Sequence, residues 1–250
     1  MDTNPVTHPA AHDHFAQLYD DPAQIIASLA DYVGEGLRRG EAAVVIATPP
    51  HRAALLERLA GRAVARGQLK LLDAEHTLAR FMSKGMPQWN AFHSIVGGVI
   101  AELRLQYPAV LAYGEMVDVL WQRGERDAAI RLEEYWNELG ALQTFSLFCA
   151  YRMSPLDGRA YGGALESVCK VHTHLLPERD SARFTEAVDA ASRRVLDEPL
   201  AQILLSLAAN HRTATQMPAG QATLLWLHQN MPRTAEKVLS ELRAAASPAA

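Results

Sequence analysis

The chain has 250 residues, 49% hydrophobic and 21% charged, with a net charge of -4 and a pI near 6.2. These values describe an ordinary globular protein and give it no general attraction to nucleic acid or anionic membranes. No window approaches the roughly 20 apolar residues of a membrane-spanning helix, residues 1–11 lack a signal-peptide core, and two cysteines make no disulfide framework. A cytoplasmic protein is expected, touching neither nucleic acid nor membrane directly.

Residues 14–19 alternate like a strand and run into a helix start. Asp21 is placed as N-cap, Pro22 at the first helical position and Gln24 three residues after the cap. Ile25, Ile26, Leu29, Tyr32, Val33 and Leu37 then recur at helical spacing until Gly40. Residues 44–47 read as a buried parallel strand, Thr48-Pro49-Pro50 opens a helix carrying Leu55, Leu56 and Leu59, and Gly67 closes it. Residues 70–72 form a third strand, and Asp73 caps a short helix presenting Leu78, Phe81 and Met82. A longer helix over 89–103 contains Gly97-Gly98, which costs about 1 kcal/mol per glycine and predicts a close approach to a neighbouring backbone.

Residues 110–113 are a fourth strand, followed at its end by Gly114-Glu115-Met116. Ala128, Leu132, Tyr135, Trp136 and Leu139 mark the next helix, and 145–151 the fifth strand. This alternation predicts an α/β fold: a mainly parallel sheet with helices on both faces, joined by right-handed crossovers. After about Tyr161 a helix over 164–172 precedes Pro177, and no later segment reads as a strand. Helices are predicted over 181–196, 199–210, 219–230 and 232–246, with Leu200, Ile203, Leu204 and Leu207 as one apolar stripe. The expected organisation is a flexible 1–11, an α/β domain over 12–177 and an all-helical region over 178–250.

A sheet of this kind invites nucleotides, but neither G-x-x-x-x-G-K-[ST] nor G-x-G-x-x-G occurs, so no ATP, NAD or other cofactor is expected. No G-x-S-x-G elbow is present. Cys149 lies in an apolar strand where a thiol has little reason to ionise, and Cys169 reads as a buried thiol beside a surface His172. His8, His12 and His14 cluster, and His172 and His174 form an H-x-H pair, yet no spacing fixes a metal site. His8 and His12 read as solvent-facing. Glu115 follows a strand and a glycine at the sheet's carboxyl edge, where open α/β sheets hold ligands. It either meets a ligand there or caps the following helix. Trp121 and Trp136 read as core, and Glu133, Glu134, Asn137 and Glu138 as a solvated helix face.

Seven segments carry a family resemblance: HFAQLYDD (14–21), GEAAVVIATP (40–49), LLDA (71–74), L-x-x-F-M-x-x-G (78–85), YGEMVDVLW (113–121), LEEYWNEL (132–139) and LFCAY (147–151). In this order they resemble the MEDS domain, the methanogen/methylotroph sensory domain of dichloromethane-responsive regulators, over residues 12–177. The element order is also similar to a RecA/KaiC-like core, with the opening stretch in place of the phosphate loop and Glu115 close to the magnesium-binding acid. The resemblance implies sensing of a small molecule, such as a simple hydrocarbon derivative. Its pattern falls on His14, Phe15, Gln17 and Tyr19, on Gly114, Glu115 and Trp121, and on Trp136 and Asn137.

The expected protein is a non-enzymatic signalling sensor whose ligand-binding set is His14, Gln17, Tyr19, Thr48, Tyr113, Glu115 and Trp121. No kinase region or helix-turn-helix signature is visible. Output is therefore expected through the helical tail, through a separate regulatory protein, or through a homodimer formed by residues 181–246. Two alternatives stand beside it: an interaction module for a kinase or sigma-factor regulator with no small ligand, and a metal-dependent enzyme using His14 and Glu115.

Overall fold

In the computed structural model the described residues are 6–61, 67–158, 160–161, 165–176, 181–211 and 217–246. The chain divides into two compact units, Met1–Arg152 and Met153–Ala250.

The first unit opens with β1 (His14–Tyr19), α1 (Pro22–Arg38), β2 (Ala42–Ala47), α2 (Pro49–Leu59), β3 (Leu69–Asp73) and α3 (Ala74–Ala79). It continues with β4 (Met82–Ser83), β5 (Met86–Pro87), α4 (Trp89–Phe92), a π turn (His93–Gly97) and α5 (Gly98–Arg104). It closes with β6 (Val110–Gly114), α6 (Met116–Gln122), α7 (Arg126–Leu142) and β7 (Ser146–Arg152). Its main sheet has the order β3-β2-β6-β7-β1, and all four pairings are parallel. The α/β class expected from the alternating apolar runs is the one observed.

Strand alternation decides what each helix covers. Phe15, Gln17 and Tyr19 share one face with their register partners Phe148, Ala150 and Arg152; His14, Ala16 and Leu18 share the other with Leu147, Cys149 and Tyr151. On the first face, Tyr32 of α1 meets Phe15 and Phe148 edge-on, at 5.4 and 5.6 Å between ring centres. The Tyr32 hydroxyl donates to the Ser146 carbonyl at 3.0 Å. This helix lies close to the sheet because Gly36 has no side chain: a Cβ there would fall 2.0 Å from Leu111 Cδ1. On the second face, α7 lays Trp136 against Gly114, where a Cβ would stand 3.4 Å from the indole.

Two local expectations are corrected. The helix over 89–103 is interrupted by the π turn, a rare wider turn that one extra residue produces. Gly97 is tight there, but against side chains of the α7 region rather than a backbone: its Cβ would meet Leu139 Cδ1 at 3.0 Å and Gln143 Nε2 at 3.3 Å. Gly98 faces open space. The helix capped by Asp73 ends at Ala79, and Met82 belongs instead to a small antiparallel hairpin with Met86–Pro87. Lys84 and Gly85 turn it with positive φ values of 51° and 78°. The second helix also ends earlier than Gly67, at Leu59, and its Leu56 is exposed.

The second unit contains α8 (Leu165–Val171), β8 (His174–Leu176), α9 (Ser181–Val195), α10 (Glu198–His211), α11 (Ala219–Asn230) and α12 (Pro232–Ala246). Strand β8 was not expected; three residues are too short to show an alternation. Ala164 and Pro177, used above as sequence boundaries, lie outside the described residues. The four tail helices pack on one another, with Val188, Leu204, Leu224, Leu227, Val238 and Leu239 buried. On α10 the apolar stripe splits: Leu204 is buried, whereas Leu200, Ile203 and Leu207 are exposed. No helix among the described residues is long and apolar enough to cross a membrane.

Candidate functional site

Strand β2 is followed in the chain by β3 on its outer side, and β6 by β7 on the opposite side. The connections leaving these two neighbours therefore diverge, and a crevice opens between their carboxyl ends. Such a switch point is where open α/β sheets bind ligands. A cavity of about 390 Å³ lies at this edge, lined among others by Tyr19, Thr48, His51, Glu115, Asp118 and Arg152.

Glu115 bridges the crevice. Its carboxylate accepts from the Thr48 backbone N–H at 2.7 Å and from the Tyr113 hydroxyl at 2.8 Å, and lies 2.6 Å from His51 Nδ1. The capping role considered for it is absent, since α6 receives no side-chain cap from this residue. His51 sits in the first turns of α2, where Pro49 and Pro50 set the helix start. The bond to Glu115 is the main cause that raises the His51 imidazole above its usual range, ahead of the opposing effect of burial.

Asp118, one turn further along α6, is also buried. It accepts from the Tyr19 hydroxyl at 3.1 Å, from Gln122 Nε2 at 3.0 Å and from the Arg152 backbone N–H at 2.9 Å. Burial raises its carboxyl group, and those three bonds oppose the rise. Burial and the neighbouring carboxylates push the Tyr19 phenol far above its usual range, so it remains a neutral donor. The crevice thus presents a phenol, an imidazole and two internally bonded carboxylates. That set suits hydrogen-bond recognition. Phosphate does not fit the β1–α1 junction, because the Asp21 side chain already accepts from the Ala23 N–H at 2.9 Å, where an anion would have to sit.

Of the residues expected to form the site, Tyr19, Thr48, Tyr113 and Glu115 come together at this edge. Gln17 shares the Tyr19 face of β1 but is not among the cavity's lining; it is buried, and its Oε1 has no hydrogen-bond partner among the described residues. Trp121 packs edge-on against Tyr151 and under the Arg126 guanidinium, 5.4 Å above its ring. His14 lies on the opposite face of the sheet, so the pairing of His14 with Glu115 considered above is not formed.

Sequence inspection passes over His51, Asp118 and Arg152. The available signals were the proline pair just before His51 and the three-residue step from Glu115 to Asp118, which returns to the same side of a helix.

His14 has a different company. Glu133 of α7, expected on a solvated face, is only 1% exposed and stands 3.2 Å from His14 Nε2. Asn137, on the same helix, contacts His14 Nδ1 at 2.8 Å. Glu134 and Glu138 are exposed, as expected. Cys149 is fully buried beside this group, and burial together with Glu133 pushes its thiol up.

The architecture defines a class: a parallel α/β domain with a helical tail, whose switch-point crevice carries hydrogen-bonding side chains in place of a phosphate loop. Within that class, the family model for the MEthanogen/methylotroph, DcmR Sensory domain (MEDS) matches residues 13–173, well over half of the chain, and the chain belongs to this family. A sensory, signalling role follows at that level. Comparison with curated proteins and with solved structures finds no match.

Proposed function

We propose that the protein is a non-enzymatic cytoplasmic sensor that binds a small, uncharged organic molecule with one hydrogen-bonding group at the carboxyl edge. The observation that carries this reading is the crevice between β2 and β6, where His51 and Tyr19 are held by buried carboxylates. Neither group needs to move far to meet a ligand, so their ordering is completed before binding. Pro22, Pro50 and Val119 supply apolar lining suited to a short hydrocarbon portion. A simple hydrocarbon derivative such as a small alcohol fits both halves.

The test is a thermal-shift screen against small alcohols, halocarbons and nucleotides, followed by calorimetry. A ligand that binds only the native state raises apparent stability. Tyr19→Phe and His51→Ala should each weaken binding of the molecule found by about 5- to 30-fold, equivalent to one hydrogen bond of about 1–2 kcal/mol. Unchanged affinity in both variants would remove the crevice from consideration.

Output is assigned to the helical unit. Residues 199–208 of α10 carry no charge, and Leu200, Ile203 and Leu207 are exposed along them. Charge depletion and a high apolar fraction mark the cores of homodimer interfaces, so pairing with a second copy is the expected use of this face. Ligand binding would signal by favouring one arrangement of the paired helices through a difference in affinity. Sedimentation of the full chain should show a concentration-dependent dimer that Leu200→Ser with Ile203→Ser converts to monomer without loss of helicity. A strictly monomeric parent chain would rule out self-pairing and leave a separate regulatory protein as the partner.

A further inference from the structure

We propose that His14, Glu133 and Cys149 form a binding site for a divalent first-row transition metal ion, zinc in the first instance. The proposal rests on their geometry and is independent of the reading of the carboxyl-edge crevice. The three residues come from β1, α7 and β7, and are 5%, 1% and 0% exposed respectively. Their donor atoms converge on one point. His14 Nε2 lies 3.2 Å from Glu133 Oε2 and 3.5 Å from Cys149 Sγ, and the sulfur is 3.6 Å from that carboxylate oxygen.

Those separations have a specific meaning. A tetrahedral zinc ion binds nitrogen and oxygen at about 2.0–2.2 Å and sulfur at about 2.3 Å. The edges joining such donors are then about 3.3–3.7 Å, close to the triangle of 3.2, 3.5 and 3.6 Å that the three atoms already form. Thiolate, imidazole and carboxylate together are a mixed donor set suited to zinc, and also to cobalt(II) or iron(II). Three protein donors leave one coordination position for solvent or a further donor.

The surroundings match what metal ligands require. Asn137 Oδ1 lies 2.8 Å from His14 Nδ1 and, being a carbonyl oxygen, must accept from it. The proton is thereby placed on Nδ1, and the Nε2 lone pair is turned toward the carboxylate and the sulfur. Glu133 is oriented in the same way: its Oε1 accepts from the Tyr151 hydroxyl while Oε2 faces His14 and Cys149. Partners of this kind fix the tautomer and direction of metal-binding side chains. Without a metal the Cys149 thiol donates to Glu133 Oε2 at 3.6 Å, a weak hydrogen bond whose proton a metal ion would replace. A second proton on His14 would pair it with Glu133, but at the desolvation cost of a buried ion pair. A metal ion accounts for all three donors. A cavity of about 270 Å³ lined by His14, Trp136 and Asn137 lies on the His14 side of the group.

Sequence spacing could not show this site. His14 and Cys149 are on strands that meet only in the folded sheet, and Glu133 is one residue in a helix otherwise read as amphipathic.

The full chain, stripped with chelator and dialysed, should take up one equivalent of Zn²⁺. Cobalt(II) in place of zinc should give a thiolate-to-metal charge-transfer absorption in the near ultraviolet and the intense visible bands of tetrahedral coordination. Cys149→Ser should abolish the charge-transfer band with circular dichroism unchanged. His14→Ala and Glu133→Gln should weaken binding by more than 10-fold, and Asn137→Ala, which removes the partner of His14 Nδ1, by about 10- to 100-fold. The parent's cobalt spectrum tests thiolate ligation without any substitution, so a variant that fails to fold does not decide the matter. No stoichiometric metal would overturn the proposal. So would a cobalt complex without the thiolate band, or binding that survives all three ligand substitutions, as expected if the ion sat on His8 and His12 instead.

Discussion

Replacing Glu115 with alanine should cost the protein about 3–5 kcal/mol of stability, the range for breaking a buried charged pair by removing one partner. The residue is 2% exposed and ties its own strand end, through Tyr113, to Thr48 and His51 at the β2–α2 junction. Truncation would leave the Tyr113 hydroxyl and the Thr48 N–H in the interior without their acceptor, and His51 without its anion. Glu115→Gln keeps the shape and one acceptor oxygen, so its cost should be smaller, about 1–2 kcal/mol. Urea unfolding followed by tryptophan fluorescence suits the measurement, since Trp89, Trp121 and Trp136 lie in the first unit and only Trp226 in the second. The midpoint should fall with the slope unchanged.

The same pair sets a pH dependence. His51 is raised in the folded protein, so it binds its proton more tightly folded than unfolded. Its contribution is complete below the ordinary histidine value of about 6.5 and is lost as pH rises through the raised value. The stability gap between the parent and Glu115→Gln should therefore narrow as pH is taken upward from about 6. An alanine variant within about 0.5 kcal/mol of the parent would mean that the carboxylate is readily replaced by solvent.

The five strands of the main sheet and the alternation of the fold were legible because each apolar run is short and bounded by turn residues, with Val44, Val45 and Ile46 adding β-branched residues in the second. Residues 42–47 are buried throughout, as a central parallel strand must be. What a strand faces was harder to read. His14 and Tyr19 are five residues apart, an odd step, so a regular strand sends them to opposite faces and one site could not hold both. That conclusion needed only the period of two. Glu133 was misread for the opposite reason. It lies within the helical stripe of Ala129, Leu132 and Trp136, all buried, but its charge suggested solvent. A carboxylate can occupy such a stripe only if partners arrive from elsewhere, and those partners, His14, Cys149 and Tyr151, are fixed by strand pairing rather than by local sequence.

The crevice shows the same limit in milder form. Glu115 could be located from a strand, a glycine and the rule about carboxyl edges. His51 and Asp118 could not, because their importance comes from the strand order. Once β2 and β6 are neighbours, the first turns of α2 and α6 face each other across the gap. Before that, a histidine after two prolines is one surface residue among many.

Trp136→Ala should be the most damaging single change on the second face of the sheet, at about 3–5 kcal/mol. The indole is 1% exposed and packs on Phe92 at 5.1 Å, on Phe145 at 6.1 Å and over Gly114. Removing it opens a large cavity, and a parallel strand held on both sides cannot collapse far to fill it. Trp136→Phe should cost only about 1–2 kcal/mol, because the indole Nε1 has no hydrogen-bond partner among the described residues and a smaller ring forfeits area alone. Gly114 provides the control. A Cβ there would stand 3.4 Å from the ring, an ordinary van der Waals contact, so Gly114→Ala should stay within about 0.5 kcal/mol of the parent. The double-mutant cycle should then be additive within about 0.5 kcal/mol, read from urea midpoints. A coupling above about 1 kcal/mol would mean that the ring sits tighter on Gly114 than ordinary contact, and a Trp136→Ala cost below about 1 kcal/mol would mean that this face is not packed as described.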